Sequence, residues 1–161
     1  MKLKIKDQIP DIEIFYLADG EPQTSKIWDI LGKGKVVLFG LPGAFTSTCS
    51  KLHLPGYVGN ADKIKSKGVE KIFCLSVNDP FVMNAWGEAN NAGGKITMLS
   101  DPYLLFTKAI GAEVDRNSKG MGIRSNRYAM IIQNLEVIDI QVEKETRQCG
   151  LSSAEGVLDL L

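Results

Sequence analysis

Val36-Val37-Leu38-Phe39-Gly40-Leu41-Pro42-Gly43-Ala44-Phe45-Thr46-Ser47-Thr48-Cys49-Ser50 decides how this chain is read. The first part is apolar at consecutive positions and bounded by glycine, the pattern of a short strand covered on both faces. The second part changes to Pro, Gly and hydroxyl residues, which suit a turn that opens a helix. Strand, turn and helix start would put Cys49 in a first helical turn, where unpaired backbone N–H groups and the positive end of the helix dipole favour an anion. A thiol is a nucleophile as its thiolate, and an ordinary one with a pKa near ~8.5 is only a few per cent ionised at neutral pH. Cys49 is therefore the candidate nucleophile, provided that further positive charge reaches it.

Outward from this stretch, strand and helix signals alternate. Residues 12–17 read as a strand ending at the Asp19-Gly20 turn, and residues 25–31 as a short helix stopped by Gly32 and Gly34. The alternating charged and apolar residues 1–6 read as an edge strand. Residues 50–67 have helical spacing interrupted at Pro55-Gly56, which predicts a kinked or broken helix ending at Gly68. A buried strand follows at 71–77, then a helix over 80–91 with Asp79 as N-cap and Pro80 at its first position. Residues 96–100 are a further strand and 102–110 a helix ended by Gly111. Residues 128–133 and 135–140 straddle Asn134 as a hairpin, and a last helix at about 152–160 has Ser152 or Ser153 as cap. Residues 1–161 thus read as one α/β domain, a mixed sheet flanked by helices, with no internal repeat.

Composition removes several function classes. The chain has 19 basic and 19 acidic residues and no basic tract, so neither nucleic acid nor an anionic membrane surface is indicated. No apolar run reaches the ~18 residues needed to cross a bilayer. One histidine and no Cys-x-x-Cys pair argue against a zinc site, and no cofactor is implied. Three irregularly spaced cysteines do not make an extracellular disulfide framework, so a reducing, cytoplasmic setting is expected.

The spacing Pro42, three residues, Thr46, two residues, Cys49 resembles the active-site signature of the peroxiredoxins, which are thiol peroxidases. The strings Phe39 to Thr46, His53-Leu54-Pro55-Gly56-Tyr57 and Ser76-Val77-Asn78-Asp79-Pro80-Phe81-Val82-Met83 are similar to the peroxiredoxin 5, or type II, branch, and the order of motifs holds from about Ile9 to Leu161. Ser47 departs from the branch, which has Pro there; loss of the ring should loosen the turn without abolishing the chemistry. The resemblance implies a thioredoxin-like fold with additional N-terminal strands, a homodimer, and reduction of hydrogen peroxide and alkyl hydroperoxides. Phe45, Phe81 and Trp86 are expected in an apolar patch at such an interface.

Thiolate attack on an O–O bond moves negative charge from sulfur onto a departing oxygen, so the site must hold an anion, align the peroxide and stabilise the leaving group. The resemblance gives Cys49 as nucleophile, oxidised to sulfenic acid. Thr46 can both accept from and donate to the reacting groups, Pro42 shields and shapes the turn, and the N–H groups of Thr48 and Cys49 are candidate donors to peroxide. The resemblance places the required cation at Arg127, before the Tyr128-Ala-Met run, and Arg124 competes for the role because it lies near the same strand start. His53, four residues after Cys49, is read as a packing and hydrogen-bonding residue rather than a general base.

Two cysteines bear on the fate of the sulfenic acid. Cys74 sits in an apolar strand and reads as a buried small hydrophobe, although branch members often carry a cysteine there that has been discussed as resolving. Cys149 follows the polar run 143–148 and is expected in an exposed, mobile loop, near the position of a resolving cysteine in some relatives. The expected cycle uses an external thiol, either glutathione, glutaredoxin or thioredoxin. A Cys49–Cys149 disulfide is the alternative, and a redox sensor or chaperone that does not turn over is a different class of function.

Overall fold

The apolar run from Val36 to Leu41 serves two cores at once. In the computed structural model, which describes residues 1–161, it forms β3 (Lys35–Gly40) after an N-terminal hairpin of β1 (Glu13–Ala18) and β2 (Glu21–Lys26). β4 (Lys71–Ser76) lies parallel to β3, and β5 (Thr97–Ser100) parallel to β4. A separate ribbon pairs β6 (Glu113–Asp115) with β7 (Ile123–Ser125), and β8 (Tyr128–Gln133) with β9 (Glu136–Val142) completes the main sheet in the order β2-β1-β5-β4-β3-β8-β9.

Alternate side chains of β3 point to opposite faces. Val37 and Phe39 join one cluster, with α2 (Leu54–Ser66), α3 (Pro80–Ala89) and α5 (Ala154–Leu158). Val36 and Leu38 join the other, with α1 (Ile27–Leu31) and α4 (Leu105–Ala109). Full burial of side chains this size stabilises by about 1.5–3 kcal/mol each. With apolar residues on both faces, pattern alone cannot set the register of β3. Gly40 fits the observed one, because a Cβ there would stand 2.3 Å from the ring of Tyr128, its partner on β8.

The Asp19-Gly20 and Asn134 turns, the Asp79 cap and the Ser153 cap are as expected: Asp79 accepts from the Val82 N–H at 2.9 Å and Ser153 from the Gly156 N–H at 3.0 Å. Other elements differ. Residues 1–6 form no strand; Lys6 has φ 74°, which ends extension, and the segment is tied down by Lys2 N–H donating to Ile110 O. Residues 21–26 are an edge strand, so the expected helix at 25–31 shortens to α1; the exposed Glu-Pro-Gln-Thr-Ser-Lys sequence has no apolar period to betray a strand. The helix at 102–110 shortens to α4, because Leu104 is left-handed at φ 60°. The buried Asp101 carboxylate takes the Thr107 N–H at 2.8 Å and the Phe106 N–H at 3.3 Å. No helix is long and apolar enough to cross a membrane.

Candidate active site

β3 ends at the turn that carries Pro42 to Thr48, beside the segment Val77-Asn78-Asp79 that leaves β4. This is the carboxyl end of parallel strands, where open α/β sheets place their ligands. Asn78 holds the turn: its Oδ1 accepts from the Ala44 N–H and from Ser76 Oγ, both at 2.8 Å. From the other side, Arg124 Nη1 donates to Pro42 O at 3.4 Å. A Cβ on Gly43 would meet that guanidinium at 2.9 Å, so this glycine permits the close approach. These clamps position the turn despite Ser47.

A π-helical turn, Cys49–His53, starts the next helix, with the Leu54 N–H reaching back five residues to Cys49 O before α2 continues. The irregularity expected at Pro55 thus lies one turn earlier, and Pro55, which cannot donate to the preceding turn, follows directly on that π-helical turn. Cys49 is completely buried. As first-turn groups, the Thr48 and Cys49 N–H donors have no helical acceptor. Thr46 does not cap the helix with its hydroxyl; Oγ1 donates to Gly43 O at 2.7 Å, which leaves oxygen lone pairs to accept another hydrogen.

The antiparallel register of β3 and β8, Gly40 opposite Tyr128, brings Arg127 beside the end of β3. Arg127 is buried, and its Nη2 donates to Cys49 Sγ at 3.2 Å. The same fork donates to Thr146 O from Nη2 at 2.9 Å and from Nε at 3.2 Å, and Nη1 meets His53 Nδ1 at 2.8 Å. A guanidinium can only donate, so His53 Nδ1 is the acceptor; Nε2 then carries the proton and donates to Ser152 O at 2.9 Å. Burial, reinforced by the adjacent Arg127 charge, pushes the His53 pKa down to about 3. A neutral imidazole that already accepts from Arg127 is an orienting group, and not a base for Cys49.

The loop after β9 closes the site. Glu143 is buried, and its Oε1 accepts from the Gly150 N–H at 2.7 Å, the Ser152 N–H at 2.8 Å and Ser152 Oγ at 2.9 Å. That carboxylate pins the segment whose Thr146 and Ser152 carbonyls hold Arg127 and His53. Sequence reasoning gave Glu143 and Asn78 no role of their own, since each acts by holding backbone N–H groups of a loop whose path only the fold sets. Cys149 lies on this pinned loop, half-buried rather than on a free exposed one, and burial pushes its thiol up to about 11 despite Arg127 nearby. Cys74 is fully buried in β4, opposite Phe39, with its thiol pushed up by burial and then by Cys49. Phe45 and Phe81 are exposed, whereas Trp86 is completely buried and donates its indole N–H to Ser50 Oγ at 2.9 Å, so it belongs to the core and not to a surface patch.

Residues 4–158 match the Redoxin family. The chain is 42% identical to peroxiredoxin-2D of Arabidopsis thaliana over 160 residues, 99% of this chain and 98% of the relative. Its fold superposes on reduced Prx3 of Vibrio vulnificus in complex with hydrogen peroxide with a TM-score of 0.93, at 43% identity and with 98% of each chain covered. Against peroxiredoxin 5 of Alvinella pompejana the TM-score is 0.85 at 33% identity, over 97% of this chain and 96% of that one. A buried thiol under a guanidinium, on a thioredoxin-like sheet and with these relatives, places the chain in the Redoxin family as a thiol-dependent peroxidase of the peroxiredoxin 5, or type II, branch.

Proposed function

We propose that Cys49 reduces hydrogen peroxide and alkyl hydroperoxides with Thr46, Arg127 and Pro42 as its active-site partners, and that an external thiol restores it. The contact of Arg127 Nη2 with Cys49 Sγ at 3.2 Å carries this reading, since a permanent cation there stabilises negative charge on sulfur. Sγ attacks one peroxide oxygen, an S–O bond forms as the O–O bond breaks, and the departing hydroxide or alkoxide takes a proton. Thr46 Oγ1 accepts from the bound peroxide, and the Thr48 and Cys49 N–H groups donate to its oxygens. Pro42 O anchors Arg124, and its ring keeps water from the turn.

Glutathione, glutaredoxin or thioredoxin then reduces the sulfenic acid. This one-cysteine cycle is supported by the state of the other two thiols. Cys149 is pushed up to about 11 on a loop pinned by Glu143, and Cys74 is enclosed in the sheet. Exposed Phe45 and Phe81 support a homodimer through the face beside the site, and a cytoplasmic location suits an enzyme that draws on a thiol pool. Mass spectrometry after one equivalent of peroxide tests the cycle. The expected product is Cys49 sulfenic acid, trapped by dimedone and converted by glutathione to a mixed disulfide. A Cys49–Cys149 disulfide in most monomers would overturn it in favour of a two-cysteine cycle.

A further inference from the structure

A cleft opens between the 42–48 turn, the segment 116–121 and the pinned loop, and reaches Cys49 through Arg127 on its wall. Four of its ten lining residues are cations, Arg116, Lys119, Arg127 and Arg147, in a chain whose formal net charge is zero. Arg127 is committed to Cys49, His53 and Thr146. The other three are not used by the peroxide chemistry. Arg147 has one exposed carboxylate neighbour, Glu145 at 3.5 Å, and Arg116 and Lys119 are in no ion pair. Arg116 adds an independent observation: its Nε is buried and has no acceptor. A buried donor on a cation is costly to leave unmet, and the group that meets it best is a carboxylate held in the guanidinium fork.

The remaining lining is mostly hydroxyl-bearing, Thr46, Ser47, Thr48 and Thr146 among it, with no apolar groove for an acyl chain. Such a cleft fits a small, polar, anionic molecule. We propose that Arg116, Lys119 and Arg147 form a carboxylate-binding subsite that seats glutathione, a tripeptide thiol with two free carboxylates, against oxidised Cys49. This assignment rests on the external-thiol reading above. The glutathione thiolate attacks the sulfenic sulfur, an S–S bond forms, the S–O bond breaks, and hydroxide leaves with a proton as water. A second glutathione thiolate then attacks the glutathione sulfur of the mixed disulfide. Oxidised glutathione departs and Cys49 returns as thiolate.

Two measurements on the full chain test the subsite. The first is the ratio of the rates at which glutathione and uncharged 2-mercaptoethanol reduce the peroxide-oxidised protein. In the double variant Arg116→Gln/Lys119→Gln this ratio should fall about tenfold, and the wild-type ratio should fall with added salt while that of the variant stays nearly flat. The second is binding of S-methylglutathione, which cannot react, to the Cys49→Ser protein with and without the two substitutions. An unchanged ratio together with unchanged binding overturns the subsite, even if glutathione still sustains turnover. Salt-sensitive binding that the double variant weakens, in a protein that neither glutathione, glutaredoxin nor thioredoxin reduces, sinks the external-thiol reading but keeps the subsite. If the substitutions slow oxidation by an anionic fatty-acid hydroperoxide and leave the thiol ratio alone, the cations serve the peroxide and the assignment to glutathione is wrong.

Discussion

Cys49 and Cys74 are both completely buried and lie in the same core cluster, Cys49 on the π-helical turn that follows β3 and Cys74 on β4, yet their polar surroundings are opposite. Around Cys74 there is sheet and apolar side chain; burial raises its thiol, and negative charge at Cys49 raises it further. Around Cys49 the turn supplies unpaired N–H groups and Arg127 supplies a donor at 3.2 Å. Burying an ion without a partner costs several kcal/mol, whereas a hydrogen-bonded counter-charge offsets much of that. Burial by itself thus says nothing about reactivity, and the polar partner decides it.

The strongest way to break this contrast is to exchange the two thiols for hydroxyls. Cys49→Ser should lower peroxide turnover by at least about 10³-fold in a coupled peroxide-consumption assay, because a serine hydroxyl does not form the sulfenic acid. Retained turnover would show that another residue carries the reaction. Cys74→Ser serves as the internal control, with turnover held within about twofold and a modest loss of stability from a hydroxyl placed in an apolar strand.

Removing the partner and keeping the thiol sharpens the comparison. Arg127→Gln should reduce the second-order rate constant for hydrogen peroxide, measured by stopped-flow, by about 10²–10³-fold. It should also make native Cys49 alkylate with iodoacetamide nearly as slowly as Cys74. If Arg127→Gln oxidises at the wild-type rate, the helix start alone supplies the charge and the role assigned to Arg127 is wrong.

A smaller effect lies in the support of that arginine. The folded-state pKa of His53, about 3, is below its unfolded value of 6.5, so the unfolded chain binds the extra proton first. The contribution of His53 is fully present above pH 6.5 and is lost as pH falls toward 3. By pH 5 the loss is about 2 kcal/mol. Urea unfolding at pH 7 and pH 5 should show this decline in the wild type and a flatter response in His53→Asn, which has no imidazole to titrate. Equal slopes in both proteins would assign the acid sensitivity to other groups.

Legibility of the fold followed burial. Strands 35–40 and 71–76 announce themselves because both faces are covered and their interior residues, Val36 to Phe39 and Ile72 to Leu75, are all apolar. The strand at 21–26 does not, since an exposed edge puts no demand on side-chain polarity. For the site, Pro42, Thr46 and Cys49 are close in sequence and so could be read together. The resemblance favours Arg127 over its neighbour Arg124, and the pairing of Gly40 with Tyr128 puts Arg127 on the sulfur and Arg124 on Pro42 O. Trp86 is expected with Phe45 and Phe81 in a patch at the interface the resemblance implies, but its indole is buried and donates to Ser50 Oγ.

The sequence by itself determined the Pro42, Thr46 and Cys49 spacing, the turn that carries it and the α/β layering, because each depends on local spacing or on apolar periodicity, both of which are written along the chain. Tertiary structure alone decided which arginine touches sulfur, that His53 is a neutral orienting group, that Glu143 pins the loop bearing Cys149, and that Arg116 and Lys119 flank the same cleft. The physical reason is that these contacts depend on distances of about 3 Å, between residues 78 apart for Arg127 and Cys49 and 99 apart for His53 and Ser152, and strand register and loop closure set those distances.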